Sequence, residues 1–327
     1  MNARPQALPQ SVIPTVVAVC MAFAGSDDGN WLCAVLALVG VVCAHLSTNL
    51  LDDYFDYRNA GITSRQKLAR AGMRARLGKA QYLADGQATL GQTFAVAAAF
   101  GVVALLCGAV VLYLQGWPIA CFALAGAFLG FFYSAPPFKL CYRGLGELLT
   151  GLMFGPLLMG GTYYAVSRTL SPSVWWISSA IGLLVVNILY THSIMDRQAD
   201  ISVGKTTLAV IVSPGEEPRR GMLLAFSLLF TYLPYLLVVA GVLTATLQYS
   251  TLLVFVTLPM AVGLTRLMSD FLYHPQRVAT RRWWMGPMSQ WDAIMQAGID
   301  WFMIRWFLAR NLLSLFAVIT AVSVFLH

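Results

Sequence analysis

The chain has 327 residues, 58% hydrophobic and only 11% charged, with a formal net charge of +7. Soluble domains carry roughly 25% charged residues, so a water-soluble globular enzyme is disfavoured and an integral membrane protein is expected. The positive excess fits basic loops beside anionic headgroups better than a nucleic-acid surface, and no nucleic-acid partner is expected.

A bilayer crossing needs roughly 20 mostly apolar residues. In chain order the sequence predicts about nine: 8–24, 31–51, 94–114, 118–133, 148–166, 174–195, 222–243, 250–268 and 307–326. The expected fold is all-α, a single membrane-embedded domain over residues 1–327 with its helices around a central cavity. The connections 57–92, 134–147, 196–221 and 269–306 would cap it. Within the sixth span Asn187 and His192 are costly in lipid, which predicts a face turned inward. The six cysteines (20, 33, 43, 107, 121 and 141) form no Cys-x-x-Cys or Cys/His cluster and read as small apolar fillers.

Charge divides the connections into two sets. The N-terminus and the four capping connections, with the span ends adjoining them, hold every one of the 21 Lys and Arg residues except Arg168. The positive-inside rule makes this set cytoplasmic, with the N-terminus inside and the C-terminus outside. The expected location is a bacterial inner membrane. Of the two long connections, 57–92 is basic and helix-compatible. The other contains "WDAIMQAGIDWFMIRW", which predicts an amphipathic helix at the interface. Each serves either as a surface anchor or as a lid.

Chemistry concentrates at two span ends on the basic side. "NLLDDYFDYRNAG" (49–61) places Asn49, Asp53 and Asp56 at i, i+4 and i+7, one face of a helix, with Asp52 on an adjacent face. "MDRQADISVGKTTLAV" (195–210) places Asp196 and Asp200 at i, i+4. One such motif is interface decoration about as often as a site; two on the same side are harder to dismiss. Oxygen donors of this kind suit Mg²⁺, which takes the rest of its shell from water and substrate phosphates. Lys139 and Arg143 in "PPFKLCYRGLGE", with Arg197 and Lys205, are candidates to hold a diphosphate. "GKTT" is not a P-loop, because Ala199 stands where the upstream glycine is required.

These residues resemble the UbiA superfamily of intramembrane prenyltransferases, whose pattern is Asn-x-x-x-Asp-x-x-Asp after the second helix and Asp-x-x-x-Asp after the sixth. "ARPQALPQSVIP" (3–14), "YSAPPFKLCYRGLGELLTGLMFGPLLMGGTYY" (133–164) and "GKTTLAV" (204–210) are similar to its 1,4-dihydroxy-2-naphthoate branch. Where that branch usually carries an Asn pair before the second motif, this chain has His192 and Ser193.

The resemblance implies Mg²⁺-dependent (or Mn²⁺-dependent) transfer of a polyprenyl group from its diphosphate to an aromatic acceptor, 1,4-dihydroxy-2-naphthoate in menaquinone biosynthesis. It implies Asp53, Asp56, Asp196 and Asp200 as catalytic, and these four with Asn49 as metal ligands. Tyr133, Tyr163 and Tyr164 would face the allylic cation. Arg4 or Arg143 would orient the acceptor's carboxylate. Other acceptors remain open: 4-hydroxybenzoate, homogentisate, a chlorophyllide or haem. A cation-coupled transporter is the alternative from another class, but such proteins place their acids near the midplane and show inverted repeats.

Overall fold

The computed structural model describes residues 7–58, 81–288 and 290–326. Arg4 and most of the 57–92 connection lie outside them. Among the described residues there is no strand, only an isolated parallel bridge between Arg143 and Thr206.

Among the described residues, nine apolar helical segments follow one another, each overlapping a predicted span. They are α1 (Pro9–Ala24), α2 (Trp31–Arg58), α3 (Leu90–Gln115), α4 (Pro118–Phe132), α5 (146–167), α6 (Pro172–Ser202), α7 (Arg220–Leu243), α8 (Tyr249–Tyr273) and α9 (Asp300–Ser323). Six of them are long and apolar enough to cross a membrane, and α1 and α4 are shorter apolar helices. The fold among the described residues is all-α, that of an integral membrane protein.

Local sequence explains the element ends. Thr89 caps α3 in a reciprocal box with Gln92. Ser171 accepts the Ser173 N–H at the start of α6, with Pro172 at the first helical position. The fifth span is not a straight helix. It runs Gly146–Leu152, passes through a π-helical turn at Met153–Leu157, and resumes as Leu158–Ser167. Pro156 lies in that turn and cannot donate to the helical ladder, which accounts for the interruption.

α2 and α6 are the two longest helices among the described residues. At about 1.5 Å per residue, the 28 residues of α2 and the 31 of α6 extend roughly 42 and 46 Å, against about 30 Å of hydrocarbon. The excess turns stand on the basic face, and they carry the aspartates. Burial differs sharply along the chain. The apolar window of α6 is 72% buried, that of α3 only 17%. Leu105 and Leu106 of α3 are exposed, as lipid contact requires.

α5 and α6 meet backbone to backbone. A Cβ at Gly182 would lie 2.6 Å from the Gly151 carbonyl oxygen, and one at Gly155 would lie 2.4 Å from that of Ser178. Small residues permit this approach, the usual device for joining helices in lipid. The crossing brings Glu147, one turn before Gly151, against Ser193 on α6.

The 269–306 connection departs from expectation. The predicted amphipathic helix is divided: Trp291–Gln296 forms a short helix, the chain turns at Gly298 (φ +64°), and Asp300 already begins α9. The reason is Gly298, which favours a left-handed turn over helix. Upstream, the chain tucks into the core. Met285 and Met288 are buried, and Asn311 of α9 donates to the Met285 and Pro287 carbonyls at 2.9 and 3.0 Å. Trp284 covers Gly263 of α8 so closely that a Cβ there would fall 2.0 Å from its ring.

Candidate active site

The end of α2 places Asp53 and Asp56 on one buried face, at 1% and 6% exposure, with Asn49 partly buried one turn earlier. Asp52, on the adjacent face, accepts the Ser134 hydroxyl. The end of α6 places Asp196 and Asp200 at 7% and 2% exposure.

The 134–147 loop joins the two helix ends. On the α2 side, Ser134 holds Asp52, and the Tyr142 hydroxyl donates to Asp56 Oδ1 at 2.5 Å. On the α6 side, the Gly144 N–H donates to the Thr206 carbonyl at 2.8 Å, beside the Arg143–Thr206 bridge. Glu147, only 3% exposed, accepts the Ser193 hydroxyl and, at 3.1 Å, the Leu208 N–H. Tyr142 sits at the junction. The Lys205 ammonium lies 5.5 Å from its ring centroid, a cation–π contact, and the Lys205 N–H returns to the Asp200 carbonyl at 2.9 Å. Burial, then the Asp56 carboxylate, holds the Tyr142 phenol far above its ordinary range, so it stays protonated and donates.

Within the same loop, Lys139 adopts a left-handed backbone (φ +44°), uncommon for a residue with a side chain. Its N–H is held by the Ala135 carbonyl at 2.9 Å, while the Cys141 N–H holds the Tyr133 carbonyl at 2.9 Å. Arg143 is exposed and reaches the Pro137 carbonyl at 3.3 Å. Tyr133, Lys139, Arg143 and Lys205 are therefore all carried on the segments that join the acidic ends.

Three expected site residues are not brought there. Arg197 turns its guanidinium onto carbonyls of the following loop: Ser213 at 2.7 Å, Gly215, Glu216 at 3.3 Å and Glu217 at 3.5 Å. It shapes that loop, because its position on α6 points it away from Asp196. Tyr163 and Tyr164 lie in the last turns of α5, beside the 25–30 connection at the opposite membrane face. A Cβ at Gly25 would meet the Tyr163 hydroxyl at 2.9 Å, and Tyr164 packs with Cys33, Val111 and Ile119. The helical rise separates them from Glu147 by roughly 24 Å. Sequence reasoning also passed over Tyr142 and Glu147. Glu147, a lone acid opening an apolar run, carried a usable signal, since acids at such positions are rarely idle.

The donor set fits a divalent cation such as Mg²⁺: carboxylates and an amide, hard oxygens without thiolate or imidazole. Among the described residues, no three Asp, Glu, His or Cys side chains converge into a cage. The five predicted ligands are oxygen donors carried on two separate helix ends, α2 and α6. That suits an ion that keeps several waters and shares its shell with substrate phosphates.

The sequence profile of the UbiA prenyltransferase family matches residues 11–286. A 1,4-dihydroxy-2-naphthoate octaprenyltransferase from Mycobacterium tuberculosis is 31% identical over 257 residues, 76% of this chain and 77% of that protein. A 2-carboxy-1,4-naphthoquinone phytyltransferase from Synechocystis sp. is 29% identical over 188 residues, 57% of this chain and 59% of that protein. Among solved structures, a UbiA homolog from Archaeoglobus fulgidus bound to GPP and Mg²⁺ superposes with a TM-score of 0.59 at 16% identity. It covers 94% of this chain and 97% of that one, a likeness of fold.

Proposed function

The chain belongs to the UbiA prenyltransferase family and is an aromatic prenyltransferase, and we propose that it transfers a polyprenyl group from its diphosphate to 1,4-dihydroxy-2-naphthoate with the help of Mg²⁺. The observation that carries this reading is the pair of buried aspartate motifs on α2 and α6, joined through Tyr142 and Lys205. Support for the donor comes from the Archaeoglobus fulgidus homolog bound to GPP and Mg²⁺. Support for the acceptor comes from the naphthoate octaprenyltransferase of Mycobacterium tuberculosis. In this reading the basic face is cytoplasmic and the membrane is a bacterial inner membrane.

Asn49, Asp53, Asp56, Asp196 and Asp200 would hold the cation. When bound, it would supply positive charge that stabilises the departing diphosphate. Lys205, Lys139 and Arg143 bind the non-bridging oxygens of that diphosphate as charged donors. Tyr142 keeps Asp56 oriented by donating to one carboxylate oxygen. The apolar helices exclude water from the allylic carbon and accommodate the isoprenoid tail. Tyr133, at the edge of the loop, offers a ring face to the developing carbocation.

The test is mass spectrometry of the product formed by purified protein with dihydroxynaphthoate and a set of prenyl diphosphates. A prenylated product lacking the carboxyl group is expected. Transfer only to 4-hydroxybenzoate or homogentisate would move the acceptor elsewhere within the family.

A further inference from the structure

Arg310 is the eleventh of the 24 residues of α9, about 15 Å along the helix from Asp300 and just inside the basic end of the predicted span 307–326. A guanidinium at that depth is costly unless something compensates it. Arg305, one turn earlier, gives its N–H groups to the Leu267 and Trp301 carbonyls at 2.9 and 2.7 Å. Arg310 is treated differently. It lies over Phe307 and Trp306, 4.6 and 5.6 Å from their ring centroids, and reaches only the Asn311 side-chain oxygen at 3.5 Å. Among the described residues no carboxylate pairs with it.

Beside it is a buried donor without an acceptor. Trp306 is 8% exposed, and its buried indole N–H has no hydrogen-bond partner among the described residues. Guanidinium and indole N–H are donors only, so together they suit an anionic oxygen group and nothing cationic. The neighbouring surface is aromatic. His192 stacks on Phe302 with centroids 5.1 Å apart and lies 5.9 Å from Trp306. His192 is also four residues before Asp196, one turn deeper into the membrane on the same side of α6. Side chains on a helix lean toward its N-terminus, so the Arg310 guanidinium tilts back toward the basic face, where the aspartates stand.

We propose that Arg310 and Trp306 form the subsite for the anionic oxygen group of the aromatic acceptor, with its ring against His192 and Phe302. The inference rests on the prenyltransferase reading above and adds where the acceptor is held. A carboxylate or phenolate there supplies the missing counter-charge to Arg310. It also sets the acceptor one helical turn below the diphosphate, on the lipid-buried side where the allylic carbon must be. His192 and Ser193, which replace an Asn pair of the related branch, then have separate duties: His192 lines the acceptor, while Ser193 is bonded to Glu147.

The experiment is equilibrium binding of 1-hydroxy-2-naphthoate and, separately, of geranyl diphosphate with Mg²⁺ to purified full-length protein in detergent. The proteins are wild type, Arg310→Gln, Arg310→Lys and Trp306→Phe. The Trp306→Phe variant keeps an aromatic ring beside His192 while losing the N–H and part of the indole, and its geranyl diphosphate affinity guards against loss through misfolding. Naphthoate affinity is expected to fall at least tenfold in Arg310→Gln and severalfold in Trp306→Phe, with partial retention in Arg310→Lys. Geranyl diphosphate affinity is expected to be unchanged in all three. Wild-type naphthoate affinity in both Arg310→Gln and Trp306→Phe overturns the subsite and leaves the prenyltransferase reading standing. Failure of the wild type to bind either probe overturns that reading, and the subsite with it.

Discussion

The Tyr142 hydroxyl donates to Asp56 Oδ1 at 2.5 Å, across a sequence separation of 86 residues. This bond ties the basic loop to the first acidic motif, and the same ring receives the Lys205 ammonium from beyond the second. A hydrogen bond to a charged group is worth about 1.5–3 kcal/mol. Tyr142→Phe keeps the ring under Lys205 and removes only this bond. We expect kcat/KM for the prenyl diphosphate to fall by about ten- to a hundredfold with the fold intact, measured by steady-state kinetics. Unchanged kinetics would show that Asp56 does not depend on Tyr142.

Asp53 and Asp196 are buried members of separate motifs. Asp53→Ala and Asp196→Ala are each expected to abolish transfer while the protein still inserts and extracts as wild type. Chromatographic detection of prenylated product checks this, and near-normal turnover by either variant would sink the metal-site assignment.

Removal of divalent cations is the direct test of the proposed cation site. Excess EDTA is expected to stop turnover, and added Mg²⁺ or Mn²⁺ to restore it. Full activity in EDTA would mean that the aspartates serve some other purpose.

The α5–α6 crossing makes a stability prediction that needs no substrate. A Cβ at Gly182 would fall 2.6 Å from a backbone oxygen, whereas one at Gly126 of α4 meets nothing within 4 Å. Gly182→Ala is therefore expected to cost about 1–3 kcal/mol through overpacking, and Gly126→Ala close to nothing. Thermal unfolding followed by size-exclusion fluorescence reads the difference, and equal melting of the two variants would contradict the close crossing.

The apolar helical segments among the described residues, six of them long enough to cross a membrane, were legible because hydropathy and the Lys/Arg bias mark similar boundaries independently. The ends were less so. That α2 continues to Arg58 and α6 to Ser202 follows from packing on the basic face, which a hydropathy window does not see. The acidic motifs were readable by helical phase alone, including the separation of Asp52 from Asp53. Arg197 was not. Beside Asp196 it looks like a phosphate ligand, and only the return of residues 213–217 decides where its guanidinium goes. Tyr163 and Tyr164 failed for a simpler reason: α5 carries them to the far side of the bilayer, and helical rise could have flagged the distance in advance. Tyr142 acquires its role through contacts with α2 and Lys205 that no local pattern announces.

The doubly fastened 134–147 loop behaves as a spacer of set length. Ser134 and Tyr142 pin it to α2, and Gly144 and Glu147 pin it to the segment after α6. One residue added between these anchors would put Tyr142 and Glu147 out of step with each other, so no single adjustment could restore both. Homologues able to fold and turn over should vary the chemistry of this stretch far more readily than its residue count.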